Sequence, residues 1–299
     1  MVYRLQYYGL ILLSILVGML SRPRMVRVGR FFGGLVFVLW KSRQRITLIN
    51  LDLAFGESKT KAAKKWIAKE TFKNLGASIL EMSWGMVRMN EKVFLKNVKV
   101  ERLELVKSAL SKGKGVLFLP SHYGNWEMML NSFGYLGLNM HYVVKRPDNP
   151  YIDKMVNNYR CRPGNTPIYM NGATKQMEEA LKNGEIVGTM MDQKISTRRG
   201  GILIKFFGHD APTPPLVARL HLQTAAPIIP TRCYPLKNGN CKLIFGPEIE
   251  FKPSGNDDED IYNLTQTCMS FIEAFIRKDP QYWIWGHKRW NSEIYRRLG

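Results

Sequence analysis

A histidine and a glutamate lie five residues apart in the segment 120–127, where a short apolar run gives way to an amphipathic one. On one ideal helix the two side chains would be roughly 140° apart, so we expect His122 in a strand-to-helix turn and Glu127 in the first turn of the helix. A carboxylate on one imidazole nitrogen fixes the tautomer and makes the other nitrogen more basic. Such a pair predicts a general base for a hydroxyl group. The alternative is structural: the histidine caps the helix, and Glu127 complements the positive helix N-terminus.

Strands and helices are predicted to alternate on both sides of this turn, which indicates a largely parallel α/β sheet flanked by helices. Ligands of such sheets bind at the carboxyl ends of the strands. The pattern predicts helices at residues 59–84, 100–110, 125–135, 149–160, 172–182, 215–222 and 257–277, and strands at 115–120, 140–144, 186–191, 202–207, 227–233 and 242–245.

The first 45 residues differ in character from the rest. Residues 5–20 are apolar except for Gln6 and Ser14, and as a helix they would span roughly 24 Å, against a hydrocarbon core of about 30 Å. Arginines follow this run, and no small-x-small cleavage site is present. We therefore predict a retained membrane anchor with a basic collar at residues 1–45, either tilted through the membrane or lying in it, and a catalytic domain at residues 46–299. A buried helix of the catalytic domain is the alternative.

The charge and the cysteines limit the partners. Lys and Arg number 44 against 24 Asp and Glu, a formal net charge of +20, so an anionic partner is expected: nucleic acid, an anionic membrane, or an acidic carrier or phosphorylated substrate. The four cysteines form no Cys-x-x-Cys pair, so no metal site is predicted. A nucleic-acid-binding protein is disfavoured by the apolar N-terminus and by the absence of a clustered basic recognition segment.

The sequence His-Tyr-Gly-Asn-Trp-Glu at residues 122–127 resembles the His-x4-Asp/Glu motif of glycerolipid acyltransferases. Its Gly-Asn-Trp-Glu form is similar to the lipid A biosynthesis acyltransferases, the lauroyl and myristoyl transferases. The resemblance covers nearly the whole chain, although Lys145 replaces a tyrosine usual in the family. It extends through residues 45–55, 145–150, 181–193, 206–219, 227–230 and 282–290.

The resemblance implies a role for individual residues. His122 would be the base and Glu127 its partner, with the oxyanion held by amides of the turn after His122 or by a nearby guanidinium. Arg146 would bind an anion, as would Arg160 or Arg162; for each arginine the alternative is an ordinary surface charge. Further expected substrate-site residues are Asn125 and Asp192. Asp192 and Gln193 either order the site or are structural turn residues, and His287 and Arg289 have either a packing or a chemical role.

The reaction implied is transfer of a fatty acyl chain from acyl carrier protein, or from coenzyme A, to a hydroxyl of a phosphorylated lipid A precursor. No cofactor is expected. The chain would work at the inner membrane, on its cytoplasmic side. The alternatives are a phosphatidylinositol mannoside acyltransferase or another glycolipid or phospholipid acyltransferase with the same base, and, outside catalysis, a basic lipid- or nucleic-acid-binding protein. Acyl chain length, acceptor position and oligomeric state have no signal in the sequence.

Overall fold

The computed structural model describes residues 1–236 and 240–297. The helices are α1 (Val2–Gly18), α2 (Arg22–Leu39), α3 (Lys41–Phe55), α4 (Lys61–Arg88), α5 (Glu91–Asn97), α6 (Leu103–Leu110), α7 (Trp126–Tyr135), α8 (Pro150–Cys161), α9 (Ala173–Lys182), α10 (Leu216–Thr224), α11 (Asp257–Lys278) and α12 (Ser292–Arg297). The strands are β1 (Val98–Glu101), β2 (Val116–Leu119), β3 (Met140–Val144), β4 (Thr166–Tyr169), β5 (Ile186–Gly188), β6 (Ile202–Phe206), β7 (His209–Thr213), β8 (Ile228–Pro235) and β9 (Cys241–Phe245).

Seven strands form one mostly parallel sheet in the order β1-β9-β8-β2-β5-β3-β4. The five strands from β8 to β4 are parallel to one another, whereas β9 runs antiparallel to β8 and pairs in parallel with β1. β6 and β7 form a separate antiparallel hairpin. The predicted α/β class with a largely parallel sheet is confirmed.

Helices cover both faces of the sheet because successive strand residues point to opposite sides. In β2, Leu117 and Leu119 join a core cluster with buried residues of α9, α10 and α11. Val116 and Phe118 join a second cluster with residues of α6, α7 and α8. All four β2 side chains are buried, so this central strand is apolar throughout.

Glycines allow α2 and α4 to pack closely. A side chain at Gly29 would meet the Cα atom of Ala77 at 2.7 Å, and one at Gly33 would meet the main chain of α4 at Phe72 and Lys73. α1 packs against the same helix α4 and leaves most of its apolar side chains exposed. Within the described residues, no helix combines the length and the hydropathy needed to cross a membrane. The predicted boundary at residue 45 falls inside α3.

Several predicted elements differ from the structure. The helix expected at residues 100–110 is strand β1 followed by α6, with Arg102 in the left-handed region between them. β5 ends at Gly188 rather than at residue 191, so the last residues of that apolar run leave the sheet. β4 and β7 were not predicted. Both are short, and each contains a proline, which is rare in strand interiors.

The close packing of α2 on α4 leads to a stability prediction. Gly33→Ala places a methyl group against the main chain of α4, so we expect the free energy of unfolding to fall by about 1–3 kcal/mol. Gly34→Ala is the matched control, because its new methyl would meet only the Lys73 side chain, at 3.7 Å. It should be neutral or stabilising by about 0.5–1 kcal/mol. Urea unfolding of both variants in detergent checks this, and equal midpoints would contradict it.

Candidate active site

Two loops that follow neighbouring parallel strands bring the candidate catalytic side chains together. β2 ends at Leu119 and β5 at Gly188, and Phe118 pairs with Gly188 in the ladder between them. His122 follows β2, and Asp192 follows β5. Because parallel strands end at the same edge of a sheet, both side chains lie at the carboxyl edge, where α/β sheets bind ligands.

Asp192 holds His122 through two hydrogen bonds. The imidazole Nδ1 lies 2.9 Å from Asp192 Oδ1, and the main-chain amide of His122 donates to Oδ2 at 2.9 Å. Trp283 Nε1 also donates to Oδ2, at 2.8 Å. The Asp192 side chain is completely buried. The carboxylate therefore fixes both the position of His122 in the turn and the orientation of its ring.

Asp192 is ionised in this setting. Complete burial would raise its pKa, but the charge of His122 and the hydrogen bonds from His122 and Trp283 lower the pKa to about 2. A carboxylate that accepts several hydrogen bonds is stabilised in its charged form. Asp192 is thus an acceptor for the Nδ1 proton of His122 throughout the neutral range.

The outer nitrogen of His122 is left as the basic one. With the Nδ1 proton directed at Asp192, Nε2 of the neutral ring is an acceptor. Gln193 Nε2 lies 3.2 Å from it, in position for the amide to donate. Burial lowers the pKa of His122, but the charge and hydrogen bond of Asp192, and then the charge of Glu127, raise it above the ordinary value. The geometry is that of a general base.

The prediction that Glu127 forms a hydrogen bond with His122 is wrong. Glu127 is buried in the first turn of α7, as predicted, but its carboxylate pairs with Arg160 of α8. Arg160 Nε donates to Oε2 at 2.9 Å, and Arg160 Nη2 donates to Oε1. The fork of the guanidinium matches the carboxylate geometry, and Glu127 acts on His122 only through its charge.

Asp192 was assigned to the substrate site from the sequence, not to the base itself. The signal that could have identified it was its place at the end of a predicted buried strand next to the strand before His122. Sequence spacing finds partners within one turn or helix, whereas this pair depends on which strands are neighbours in the sheet. The neighbour order is set by tertiary packing, which the local pattern does not contain.

The other predicted arginines have different surroundings. Arg146 is mostly exposed, stacks on the Tyr169 ring at 4.1 Å from its centroid, and has Nε 3.7 Å from Asp153 Oδ2. Its guanidinium is thus open to an anion. Arg162 donates at 2.9 and 3.2 Å to two main-chain carbonyls at the end of α4. Those hydrogen bonds give Arg162 a role in the packing of α8 against α4.

Asn125, predicted as a substrate-site residue, has a structural role in the folded chain. Its Oδ1 caps α7 by accepting from Met128 N at 2.9 Å, and its Nδ2 donates to the carboxylate of Glu81. Glu81 is buried and forms an ion pair with Arg22 of α2. Because both ends of the amide bond to protein groups, Asn125 connects the turn after His122 to α2 and α4.

The main-chain amides of the three residues after His122 are occupied as well. Tyr123 N donates to Ser121 O at 2.7 Å, Gly124 N to Tyr282 O at 2.8 Å, and Asn125 N to Cys233 O at 2.8 Å. These three amides are therefore occupied, and stabilisation of an oxyanion by the turn stays a prediction. The amides of Gly124 and Asn125 hold the turn against the C-terminal segment and β8, and Gly124 has a positive φ there.

A large apolar cavity of about 710 Å³ adjoins this site. Gln193, Ile284 and His287 line it near the base. From there it extends between the N-terminal helices to Leu13 and Val17 of α1. Along α4 it is lined from Thr71 to Leu80, a helical length of roughly 14 Å. The cavity suits an apolar chain, and Gln193 in its lining contacts His122.

Comparison with known proteins gives a family match over most of the chain. The model of the family described as bacterial lipid A biosynthesis acyltransferase matches residues 1–292. The matched region contains every residue of the site described above.

Two curated relatives are more distant. Phosphatidylinositol mannoside acyltransferase of Mycolicibacterium smegmatis is 22% identical over 195 residues, 62% of this chain and 60% of that protein. The protein of the same name from Mycobacterium tuberculosis is 26% identical over 140 residues, 44% of this chain and 42% of that protein. The chain thus spans less than two thirds of the length of either relative.

The geometry of the base predicts how His122 titrates. In the unaltered protein the His122 pKa should lie above its ordinary value of 6.5. In Asp192→Asn the charge that raises the pKa is lost while burial remains, so the His122 pKa should fall below that of the unaltered protein. NMR titration of ¹⁵N-histidine-labelled protein measures both values.

Glu127→Gln is the matched control for this titration. Glu127 acts on His122 only through its charge, so this substitution should lower the His122 pKa by less than Asp192→Asn does. A larger shift in Glu127→Gln would show that Glu127, and not Asp192, is the main partner of the base.

Proposed function

This chain belongs to the bacterial lipid A biosynthesis acyltransferase family, and we propose that it is an O-acyltransferase that moves a fatty acyl chain from a thioester to a hydroxyl of a lipid A precursor. The observation that carries the proposal is the oriented base His122, whose neighbour Gln193 lines the apolar cavity. A base alone would serve many reactions, but a base next to a chain-shaped apolar space favours acyl transfer.

His122 acts on the acceptor hydroxyl in the proposed step. The hydroxyl donates its hydrogen bond to Nε2, the place that Gln193 Nε2 holds at 3.2 Å. As the oxygen attacks the thioester carbonyl, a C–O bond forms and the proton passes to His122. The C–S bond then breaks, and the proton passes from His122 to the leaving thiolate. Asp192 stabilises the imidazolium that exists between these two transfers.

The acyl chain occupies the apolar cavity in this proposal. Its thioester end lies beside Gln193 and His287, and its methyl end points toward Val17 of α1. Each buried methylene contributes about 0.8 kcal/mol to binding. The depth of the cavity at α1 would therefore influence which chain length binds best.

The net positive charge of the chain supports an anionic acyl donor and an anionic acceptor. Acyl carrier protein is an acidic donor suited to a chain of net charge +20, and acyl-coenzyme A has the same anionic chemistry. A phosphate of the acceptor would bind Arg146, because the Arg146 guanidinium is exposed. The Arg160 guanidinium is already bound by Glu127. A phosphatidylinositol mannoside is the second candidate acceptor, because both curated relatives are named phosphatidylinositol mannoside acyltransferase.

A lipid surface is the proposed partner of α1 and α2. Large apolar side chains are exposed along both helices, among them Leu12, Leu16, Phe31, Leu35 and Leu39. Exposed bases lie on or beside them, at Arg24, Arg27, Lys41 and Arg45. Each base near an anionic lipid surface contributes about 1 kcal/mol. This surface supports the proposal that the chain works at the inner membrane, with the catalytic domain on the cytoplasmic side.

The apolar cavity opens onto this same surface. Leu13, Phe32, Val36, Trp40 and Ile79 line the cavity and are also among the exposed apolar side chains. A chain that leaves a bilayer at α1 and α2 could thus enter the cavity without crossing water. The proposed membrane surface and the proposed acyl site are continuous.

Acyl transfer by purified, detergent-solubilised protein tests the proposal. The donors are acyl carrier protein loaded with labelled C12, C14 or C16 chains and the matching coenzyme A thioesters; the acceptors are a lipid A precursor and a phosphatidylinositol mannoside. His122→Ala and Asp192→Asn should each lower kcat by about 10²- to 10⁴-fold, because the base is lost or wrongly oriented. In the unaltered protein, kcat/KM should rise with pH through the raised pKa of His122, since only the unprotonated ring accepts a proton.

His209→Ala is the control for this assay, because His209 is exposed and its ring contacts the carbonyl of Leu53. It should retain full activity. Transfer that survives His122→Ala in folded protein contradicts the assignment of the base. No transfer with any donor and acceptor contradicts the proposed function.

Vesicle binding tests the membrane surface separately. Phe31→Asp with Leu35→Asp should weaken binding to phosphatidylglycerol-containing vesicles by tenfold or more, since burial of each apolar side chain contributes about 1.5–3 kcal/mol. Leu203→Asp with Tyr262→Asp is the matched control, because both residues are exposed apolar side chains outside α1, α2 and α4. Equal binding by the two double variants would contradict the proposed surface.

A further inference from the structure

The proposed transfer requires a hydrogen-bond donor for the thioester carbonyl oxygen, and the amides of residues 123–125 do not provide it. Negative charge develops on the thioester carbonyl oxygen as the hydroxyl attacks, and donors aimed at that oxygen lower the barrier. The amides of residues 123–125 all donate within the protein, and the Arg160 guanidinium is bound by Glu127. Another wall of the site also carries a side-chain donor.

His287 lies on that other wall. It lines the end of the apolar cavity together with Gln193, Ile284 and Gly286. Gln193 contacts Nε2 of His122, and Ile284 N donates to the carbonyl of His122 at 3.2 Å. The segment 284–287 thus runs beside the base, close enough for the charge of His122 to act on His287.

The position of the proton on His287 follows from its hydrogen bond. The main-chain amide of Lys194 donates to His287 Nε2 at 3.3 Å. An imidazole nitrogen that accepts carries no proton, so the neutral ring has its proton on Nδ1. Burial lowers the pKa of His287 to about 4. The charge of Asp192 raises this pKa, but the charges of Arg289, His122 and Arg43 lower it further. The ring is therefore neutral near pH 7.

The Nδ1–H group of His287 is available to a ligand. Among residues 1–236 and 240–297, no protein group forms a hydrogen bond with it. The ring is held by the hydrogen bond from Lys194, and the main chain that carries it is held as well. Asn50 Nδ2 donates to the carbonyls of Trp285 and His287 at 2.6 and 2.7 Å, and Arg43 donates to that of Gly286 at 3.0 Å. A fixed, unoccupied donor at the edge of an apolar cavity is suited to a developing charge.

We propose that His287 is a second catalytic residue, whose Nδ1–H donates a hydrogen bond to the thioester carbonyl oxygen in the tetrahedral intermediate. The inference rests on the proposed acyl transfer. No bond to His287 forms or breaks, and its proton stays on Nδ1, so the ring acts as a neutral electrophile. His122 moves the proton, and His287 stabilises the charge.

Two substitutions of His287 separate this role from packing. His287→Leu removes the donor, whereas His287→Asn places an amide N–H near the position of Nδ1–H. With labelled C12, C14 and C16 donors and both acceptors, His287→Leu should lower kcat by about 10²- to 10³-fold with little change in KM. His287→Asn should recover at least tenfold of that loss. Matching unfolding midpoints would show that both variants are folded.

The tautomer is measured without any substrate. Long-range ¹H–¹⁵N spectra of histidine-labelled protein distinguish the two neutral tautomers, and the His287 signals are identified by their loss in His287→Asn. We expect a neutral ring with its proton on Nδ1 between pH 6 and 8. A proton on Nε2, or a charged ring, overturns the inference.

The kinetic outcomes separate the two proposals. If the kcat of His287→Leu equals that of the unaltered protein, the role of His287 is overturned and the proposed function is left intact. A His287→Asn variant as slow as His287→Leu also overturns the donor role. If the unaltered protein transfers no acyl group to either acceptor, the proposed function fails, and the role of His287 fails with it.

Discussion

The carboxylate of Asp192 connects the three segments that make up the site. It accepts hydrogen bonds from the ring and the main chain of His122 after β2, and from the indole of Trp283 near the C-terminus. A buried carboxylate is stable only when such donors surround it. The positions of His122 and of the C-terminal aromatic segment are therefore linked to one charge, placed by the parallel pairing of β2 with β5.

Local patterns in the sequence were sufficient for most helices and for the strands that are apolar throughout. β2 is an example, because its four buried residues stand between turn residues. Short strands with prolines, such as β4 and β7, lack that signal. The same limit applies to the site. His122 was found from its motif, but its carboxylate partner lies seventy positions away in sequence and depends on the order of strands in the sheet.

Glu127 shows how a correct position can have an unexpected contact. The sequence placed it in the first turn of α7, where it lies, yet its partner is Arg160 of α8. An exposed carboxylate could turn toward several cations. A buried one is committed to the group that satisfies both of its oxygens, and a planar guanidinium does so better than one imidazole nitrogen. Glu127 thus fixes α8 against α7, next to the base.

The hydrogen bond between Gln193 and Nε2 of His122 bears on the hydrolysis of an acyl thioester by water, which would waste the donor. An acyl thioester beside a free base would be exposed to attack by water, which needs the same nitrogen to accept its proton. Here an incoming molecule has to displace the amide first. A lipid acceptor has the binding energy of its own chains and phosphates to do so, whereas a water molecule has only its hydrogen bonds. In the proposed reaction, Gln193 thereby favours attack by a lipid hydroxyl over attack by water, and preserves the acyl thioester between turnovers.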